Sequence, residues 1–179
     1  MRVLRWADYR HMPWKNGGGE TAEIAAFPEG ANMDDFGWRI SMASVATDGP
    51  FSAFPGVDRT LTIVEGNGID LTVGNAPPVR LTAGSPPHSF PGDAPAFARL
   101  IDGPVLDLNV MTRRGKFSHR VERVTAPAEI EASGVVCARG MVTVEGRVLE
   151  ARDSLIDLGE AVRVHGAGEV LAVRIVHAD

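Results

Sequence analysis

The segment 12–24 holds the most unusual grouping of chemically useful residues in the chain. It reads MPWKNGGGETAEI, so that Lys15 and Asn16 stand directly before three glycines. Fixing consecutive glycines in one conformation is entropically costly, which indicates a structural or functional gain from having them. Glycines allow positive φ angles, and their N–H groups can form an anion-binding concavity whose charge Lys15 would complement. A plain hairpin loop is the alternative interpretation.

A second candidate is the stretch 106–112, in which one set of alternate residues is apolar. Alternation places Asp107, Asn109 and Met111 on the other face of the predicted strand. A ligand cavity inside a β-barrel is mostly apolar with a few placed polar groups, so this face is a candidate cavity wall. A solvent-facing surface fits the pattern equally well. If the strand continues, Arg113 joins the same face.

Two further arginines lie in predicted strands. The sequence FGWRISMASVA over 36–46 gives an apolar face and a mixed face, and the mixed face carries Arg39 and Ser41. Arg59 follows Asp58 at the start of another strand. We expect a solvated ion pair between these neighbours, with capture of an acidic ligand by the arginine as the alternative.

A turn-rich loop precedes this pair. The sequence DGPFSAFPG over 48–56 predicts an ordered loop that Phe51 and Phe54 pin in place, with a structural role.

Metal and nucleophilic chemistry have little support in the sequence. The histidines are isolated and none forms an H-x-H pair, so no metal or other cofactor is expected. A single cysteine, Cys137, excludes a cysteine-based zinc cage and lies on an apolar run, which predicts a core position. No G-x-S-x-G elbow occurs, and Lys15 precedes its glycines, which excludes a P-loop. The histidines are His11, His88, His119, His165 and His177.

Short alternating runs separated by glycine and proline predict an all-β chain with few helices. Beyond 36–46 and 106–112, we expect strands at 59–64, 68–73 and 96–102. An exposed connector is predicted around the TAPAE sequence at 125–129, with strands resuming at Gly134. We therefore place an N-terminal unit with the ligand pocket at 1–115 and a smaller C-terminal unit at 116–179, with strand exchange between them allowed. The two halves share a strand rhythm that fits either a degenerate repeat or unrelated sheets.

The net charge and the hydropathy pattern argue against nucleic acid and membranes as binding partners. The formal net charge of -5 argues against nucleic acid, because such surfaces gather Lys and Arg. The apolar runs are shorter than the ~20 residues that cross a bilayer, so no membrane partner is expected. The segment 1–11 lacks the apolar core of an export signal, which predicts a cytoplasmic protein.

With these residues in view, the chain resembles the HutD/Ves family. The resemblance implies two cupin-type (RmlC-like jelly-roll) β-barrels in one chain, no required metal, and a regulatory or ligand-sequestering role in histidine utilisation. Urocanate, formylglutamate and formate are the ligands that it suggests. The phrases that carry the resemblance are WKNGGGET with EI at 14–24, WRIS at 38–41, DGPFSAFPG with Arg59 at 48–59, and DLNVM with RRG at 107–115.

The first functional hypothesis is a non-catalytic protein that binds a small carboxylate through cationic and neutral hydrogen-bond donors. The competing hypothesis is a metal-independent isomerase or lyase acting on a small acid or sugar, with Glu23, Asp107 or Lys15 as a general base. A third possibility is that the barrel faces serve only to form a homodimer, which would leave the glycine loop with a structural role. The expected ligand-binding residues are Trp14, Lys15, Asn16, Gly17, Gly18, Thr21, Glu23, Arg39, Ser41, Arg59, Asp107, Asn109, Met111 and Arg113.

Overall fold

The structure is a computed structural model that describes residues 1–159 and 161–178. These residues form seventeen β-strands and a 3₁₀ helix at Trp6–Asp8, which confirms the all-β prediction. No helix within the described ranges has the length and apolarity needed to cross a membrane. The strands are β1 (Arg2–Leu4), β2 (Arg10–Pro13), β3 (Gly19–Phe27), β4 (Trp38–Val45), β5 (Gly49–Phe51), β6 (Val57–Glu65), β7 (Ile69–Val73), β8 (Val79–Leu81), β9 (His88–Pro91), β10 (Ala96–Leu100), β11 (Val105–Arg113), β12 (Phe117–Thr125), β13 (Ala128–Glu131), β14 (Gly134–Val144), β15 (Arg147–Glu150), β16 (Ser154–Ile156) and β17 (Ala161–His177).

The chain divides into two compact units. The first, here called the cavity unit, comprises Arg10–Ser118 together with His177 and Ala178. It contains an antiparallel six-stranded sheet in the order β2-β3-β4-β11-β6-β9 and a four-stranded sheet in the order β5-β10-β7-β8. All five strands predicted between 36 and 112 occur here, as β4, β6, β7, β10 and β11.

The core of the cavity unit draws on both of its sheets. Leu61 and Ile63 from β6 belong to the same buried cluster as Ile69 and Leu71 from β7, and all four are at most 1% exposed. Burying these apolar side chains between the sheets is what holds the sheets face to face. The larger sheet thereby presents one face to the interior, and the candidate site lies on that face.

The second unit comprises Met1–Tyr9 and the described part of His119–Val176. Its strands follow the order β1-β16-β14-β17-β12, with β13 paired to β17 and β15 paired to β14. Cys137 is fully buried in its apolar core, as predicted.

The N-terminal residues differ from the predicted ranges of 1–115 and 116–179. In the structure, the first nine residues belong to the second unit. The reason is a set of contacts with residues far along the chain: β1 pairs with β16, and Asp153 accepts hydrogen bonds from the Trp6 amide at 3.1 Å and the Arg5 guanidinium at 2.6 Å. Burial of the Asp153 carboxylate among these donors fixes the segment to its unit.

One local expectation is wrong. The region after Thr125 was expected to be an exposed connector up to Gly134, but Ala128–Glu131 forms β13 and pairs with β17. Ile130 supplies the reason, because its side chain is 9% exposed and packs into the core of the second unit.

Candidate functional site

Strand register brings most of the predicted site residues onto one sheet face. Met111 on β11 lies between Arg39 on β4 and Arg59 on β6 in the pairing register. Two residues along, Asn109 lies between Ser41 and Leu61, and Asp107 follows between Ala43 and Ile63. Side chains two residues apart on a strand share a face, and neighbouring strands lie about 4.8 Å apart, so these rows form a compact floor.

A cavity of about 580 Å³ lies above this floor. Ten of the fourteen predicted residues line this cavity. The face of β11 with Asp107, Asn109 and Met111 is therefore a cavity wall and not a solvent-facing surface. The lining consists of Met12, Pro13, Trp14, Lys15, Asn16, Thr21, Met33, Arg39, Ser41, Ala43, Pro50, Phe51, Ser52, Phe54, Arg59, Asp107, Asn109 and Met111.

Arg59 is the central cation of the cavity. It is 7% exposed, and its Nε donates to Asn109 Oδ1 at 2.7 Å. The guanidinium carbon lies 4.9 Å from the centroid of the Phe51 ring and 5.5 Å from that of Phe90, which favours a cation at this position. Its terminal nitrogens form no hydrogen bond with the described residues and are available to a ligand in the cavity. Burial lowers the pKa of Arg59 to about 10, which Asp107 partly offsets, so the guanidinium stays charged at neutral pH.

The position of Arg59 corrects the expected surface pair with Asp58. Neighbouring residues on a strand point to opposite faces, so only one of them can enter the cavity. Asp58 lies on the outer side, where its Oδ1 accepts a hydrogen bond from Arg114 at 2.8 Å.

Asp107 is the buried carboxyl group of the floor. It is 1% exposed, its Oδ1 accepts a hydrogen bond from Asn109 Nδ2, and its Oδ2 has no partner within the described chain. Burial raises the pKa of Asp107 to about 7, against the attraction of Arg59 and the hydrogen bond from Asn109. Asn109 thus joins a guanidinium and a carboxyl group that titrates near neutrality.

Arg39 is held by an ion pair at the edge of the floor. Its Nε donates to Glu23 Oε2 at 2.7 Å, and its Nη1 donates to Ser41 Oγ at 3.3 Å. The two charged side chains are 5% and 15% exposed. Glu23 is therefore not itself part of the lining, and acts on the cavity by orienting Arg39.

The glycine loop closes on itself, which corrects the hypothesis of an anion-binding concavity. The Gly17 amide donates to the Trp14 carbonyl at 3.1 Å, and the Gly18 amide donates to Asn16 Oδ1 at 2.9 Å. Neither amide remains for an anion, and neither glycine lines the cavity. The loop instead positions Trp14, whose Nε1 donates to Thr21 Oγ1 at 2.8 Å, and the exposed Lys15, which forms no ion pair within the described chain.

Gly19 is expected to be the least replaceable residue of this loop. A Cβ added there would lie 2.2 Å from the Ser44 carbonyl oxygen and 2.9 Å from the Trp14 ring. We expect Gly19→Ala to lower the free energy of unfolding by about 2–3 kcal/mol, since the overlap is with backbone. Gly17→Ala is the control, because its Cβ meets open space and only its φ of +72° is unfavourable, at about 1 kcal/mol. Urea denaturation compares the variants, and a larger loss for Gly17→Ala would contradict the assignment.

Arg113 lies outside the cavity, contrary to prediction. Its guanidinium donates to backbone carbonyl oxygens of Asp34 at 2.9 Å, Pro55 at 3.0 Å and Phe36 at 3.3 Å, and lies 5.3 Å from the Phe36 ring centroid. These carbonyl groups belong to two loops that end beside the last residue of β11. Their hydrogen bonds hold the Arg113 side chain away from the cavity. Arg113 thereby holds the loops that bring Met33 and Phe54 to the cavity.

Several apolar residues of the lining were not predicted as part of the site. Phe51 and Phe54 were assigned a structural role in the loop at 48–56, yet both line the cavity, and Phe54 also packs near Phe36 with ring centroids 6.3 Å apart. The available signal was the position of two aromatic rings directly before a strand arginine. Met12 and Met33 gave no signal in the sequence.

The described residues do not fit a metal site. Within 1–159 and 161–178, no three His, Cys, Asp or Glu side chains lie close enough to share a metal ion. The chemistry that the site supports is binding of an anion by guanidinium groups, with one carboxyl group that can change protonation near pH 7.

The chain is similar over its length to proteins of one family. The sequence profile of the HutD family matches residues 6–172. An uncharacterised 21.2 kDa protein from the hutC 3' region of Pseudomonas putida is 30% identical over 177 residues, covering 98% of this chain and 92% of that protein. Protein Ves of Citrobacter koseri is 43% identical over 122 residues, and the match spans 66% of this chain but 62% of Ves, less than two thirds of its length.

Solved structures agree with this relationship. HutD from Pseudomonas fluorescens SBW25 (formate condition) superposes with a TM-score of 0.87 at 31% identity, covering 99% of each chain. The pirin YhhW from Escherichia coli in complex with nickel(II) has a TM-score of 0.65 at 11% identity, covering 96% of this chain and 97% of that one, and this likeness shows the fold alone. The fold is of cupin type, and the resemblance inferred from the four phrases is confirmed: this chain belongs to the HutD family.

Proposed function

We propose that the cavity unit binds a small carboxylate and that this binding, without chemical conversion, regulates histidine utilisation. The observation that carries the proposal is buried Arg59, which lines the cavity and whose terminal N–H groups have no acceptor within the described part of the chain. A buried guanidinium with unused donors favours a planar anion, which it can bind through two parallel hydrogen bonds.

The remaining lining supports an acid with an organic body. Aromatic and thioether side chains such as Trp14, Phe51 and Met111 cover part of the cavity wall, and the volume of about 580 Å³ exceeds what formate alone would fill. Lys15 adds a cation, which would attract an anion from solution. Urocanate and formylglutamate therefore suit the cavity better than formate. The hutC-region origin of the Pseudomonas putida relative supports the connection with histidine utilisation.

Isothermal titration calorimetry with urocanate, formylglutamate, formate and histidine tests the proposal. We expect saturable binding of at least one of the three acids, with unchanged ligand recovered by chromatography after incubation. Weaker binding of histidine is expected, because its ammonium group would enter a site that already holds guanidinium groups. Absence of binding by all four compounds at millimolar concentration would sink the proposal.

A metal-independent isomerase or lyase is the second candidate, and Asp107 is the observation that favours it. A carboxyl group whose pKa is raised to about 7 suits general acid–base work near neutral pH. Product formation that disappears in Asp107→Asn, while Asp70→Asn on the exposed face of the smaller sheet retains it, would favour the enzyme over the binding protein.

A homodimer also stays a prediction, and sedimentation at the concentrations used for binding tests it.

A further inference from the structure

We propose that the cavity takes up its anionic ligand together with one proton, which Asp107 holds. This inference rests on the proposed function and adds its regulation by pH. One proton moves from solvent to the Asp107 carboxylate as the anion enters, and no bond of the ligand is broken.

The balance of charges around the cavity is the first argument. The larger sheet presents the cations Arg39 and Arg59 and the anions Glu23 and Asp107. With both carboxylates ionised these four charges cancel, and only the exposed Lys15 is left over. An anion that enters then adds an uncompensated negative charge to a site of low dielectric.

Protonation of Asp107 would compensate the negative charge that the ligand adds to the site. Glu23 cannot play this part, because it is already paired with Arg39 at 2.7 Å. Asp107 lacks such an ion pair within the described residues: its Oδ1 accepts from the neutral amide of Asn109, the backbone of Ala43 adds a neutral hydrogen bond, and its Oδ2 has no hydrogen-bond partner. An unpartnered, 1% exposed carboxylate oxygen is costly as an anion, so it is the group of the floor that most readily accepts a proton.

The ligand and Asp107 compete for the same guanidinium. Arg59 is linked to Asp107 through Asn109, with Arg59 Nε donating to Asn109 Oδ1 at 2.7 Å. A bound carboxylate would neutralise Arg59, the charge whose attraction now holds the pKa of buried Asp107 down to about 7. Binding should therefore raise that pKa further and draw in a proton, as linkage requires.

Within the described chain, the cavity lining contains no carboxyl or imidazole group other than Asp107. From the opposite sheet, Ile69 and Leu71 face the interior and carry no charge. On β9, His88 pairs with Leu61, beside the floor, and does not line the cavity. Because an imidazole is a side chain that can take up a proton, the experiment includes His88 as a variant.

The experiment is calorimetric titration of the whole chain with formylglutamate and with formate at pH 6 and pH 8, in buffers of different ionisation enthalpy. Neither probe has a group that titrates between these pH values, whereas the imidazole of urocanate does. We expect uptake of nearly one proton per ligand at pH 8, falling towards zero at pH 6, and roughly tenfold tighter binding at pH 6. Asp107→Asn should bind without proton uptake and with little pH dependence.

Controls and outcomes separate this inference from the proposed function. Asp70→Asn and His88→Gln should both keep the wild-type proton uptake, since neither residue lines the cavity. Binding by the wild type with no proton uptake and equal affinity at the two pH values overturns this inference alone. Proton uptake that persists in Asp107→Asn, or disappears in His88→Gln, overturns the assignment to Asp107. No binding of either probe at either pH overturns this inference, and absence of urocanate binding as well overturns the proposed function with it.

Discussion

Replacement of Arg59 by methionine is expected to abolish carboxylate binding. Arg59 is the buried cation whose terminal N–H groups have no acceptor among the described residues, so a bound carboxylate would supply their partners. Hydrogen bonds to a charged group contribute about 1.5–3 kcal/mol each, so the loss of two of them should weaken binding roughly a hundredfold or more. Titration calorimetry with the tightest-binding acid measures the effect.

The arginine chemistry and the fold can be separated with two further variants. Arg59→Lys retains a positive charge but loses the planar fork, so we expect an intermediate loss of affinity. Arg99→Met is the matched control, because Arg99 is exposed on β10 and does not line the cavity, and it should bind as the wild type does. Circular dichroism establishes that each variant is folded. Wild-type affinity in folded Arg59→Met would remove Arg59 from the site.

Strand alternation made the floor of the cavity partly predictable. Because residues two apart share a face, the sequence already grouped Asp107, Asn109 and Met111, and separately grouped Arg39 with Ser41. Which strand lies beside which is a matter of long-range pairing. That Arg39 and Arg59 flank Met111 follows from the order β4-β11-β6, which no local pattern encodes.

The predictions that went wrong concern groups whose partners lie outside their own strand. Glycine N–H groups were expected to face an anion, but the nearby Trp14 carbonyl and Asn16 side chain accept them. Arg113 shares the cavity face by alternation, yet carbonyl oxygens from distant loops capture its guanidinium. A buried N–H group must find a hydrogen-bond acceptor in the folded chain. Which acceptors lie within reach depends on the tertiary structure, so the local sequence does not reveal them.

The burial of individual side chains is the other property that could not be predicted from the sequence. Asp58 and Arg59 look like a solvated pair when read as neighbours, whereas the fold buries one and exposes the other. The burial of Asp107 was equally unpredictable, because the alternation pattern fitted both a cavity wall and a solvent-facing surface. Its unusual chemistry depends entirely on its being 1% exposed.

Asp107 should make the stability of the free protein depend on pH in a way that a single substitution removes. Burial raises the pKa of its carboxyl group from 3.8 to about 7 in the folded chain. A folded-state pKa above the unfolded value means that the folded chain binds more protons between these two pH values. The stabilising contribution is complete below about pH 4 and is lost as the pH rises through about 7.

We therefore expect the free energy of unfolding of the wild type to fall between pH 5 and pH 8 by roughly 2–3 kcal/mol more than that of Asp107→Asn. Chemical denaturation of both proteins across this range measures the difference, and all other titrating groups cancel because the two chains share them. Asp70→Asn is the matched control: the hydrogen bonds from Arg80 lower the pKa of half-buried Asp70, away from this pH range, so its curve should run parallel to the wild type. Parallel curves for the wild type and Asp107→Asn would mean that Asp107 is ionised in the folded protein throughout this range, and that the buried floor keeps its negative charge before any ligand arrives.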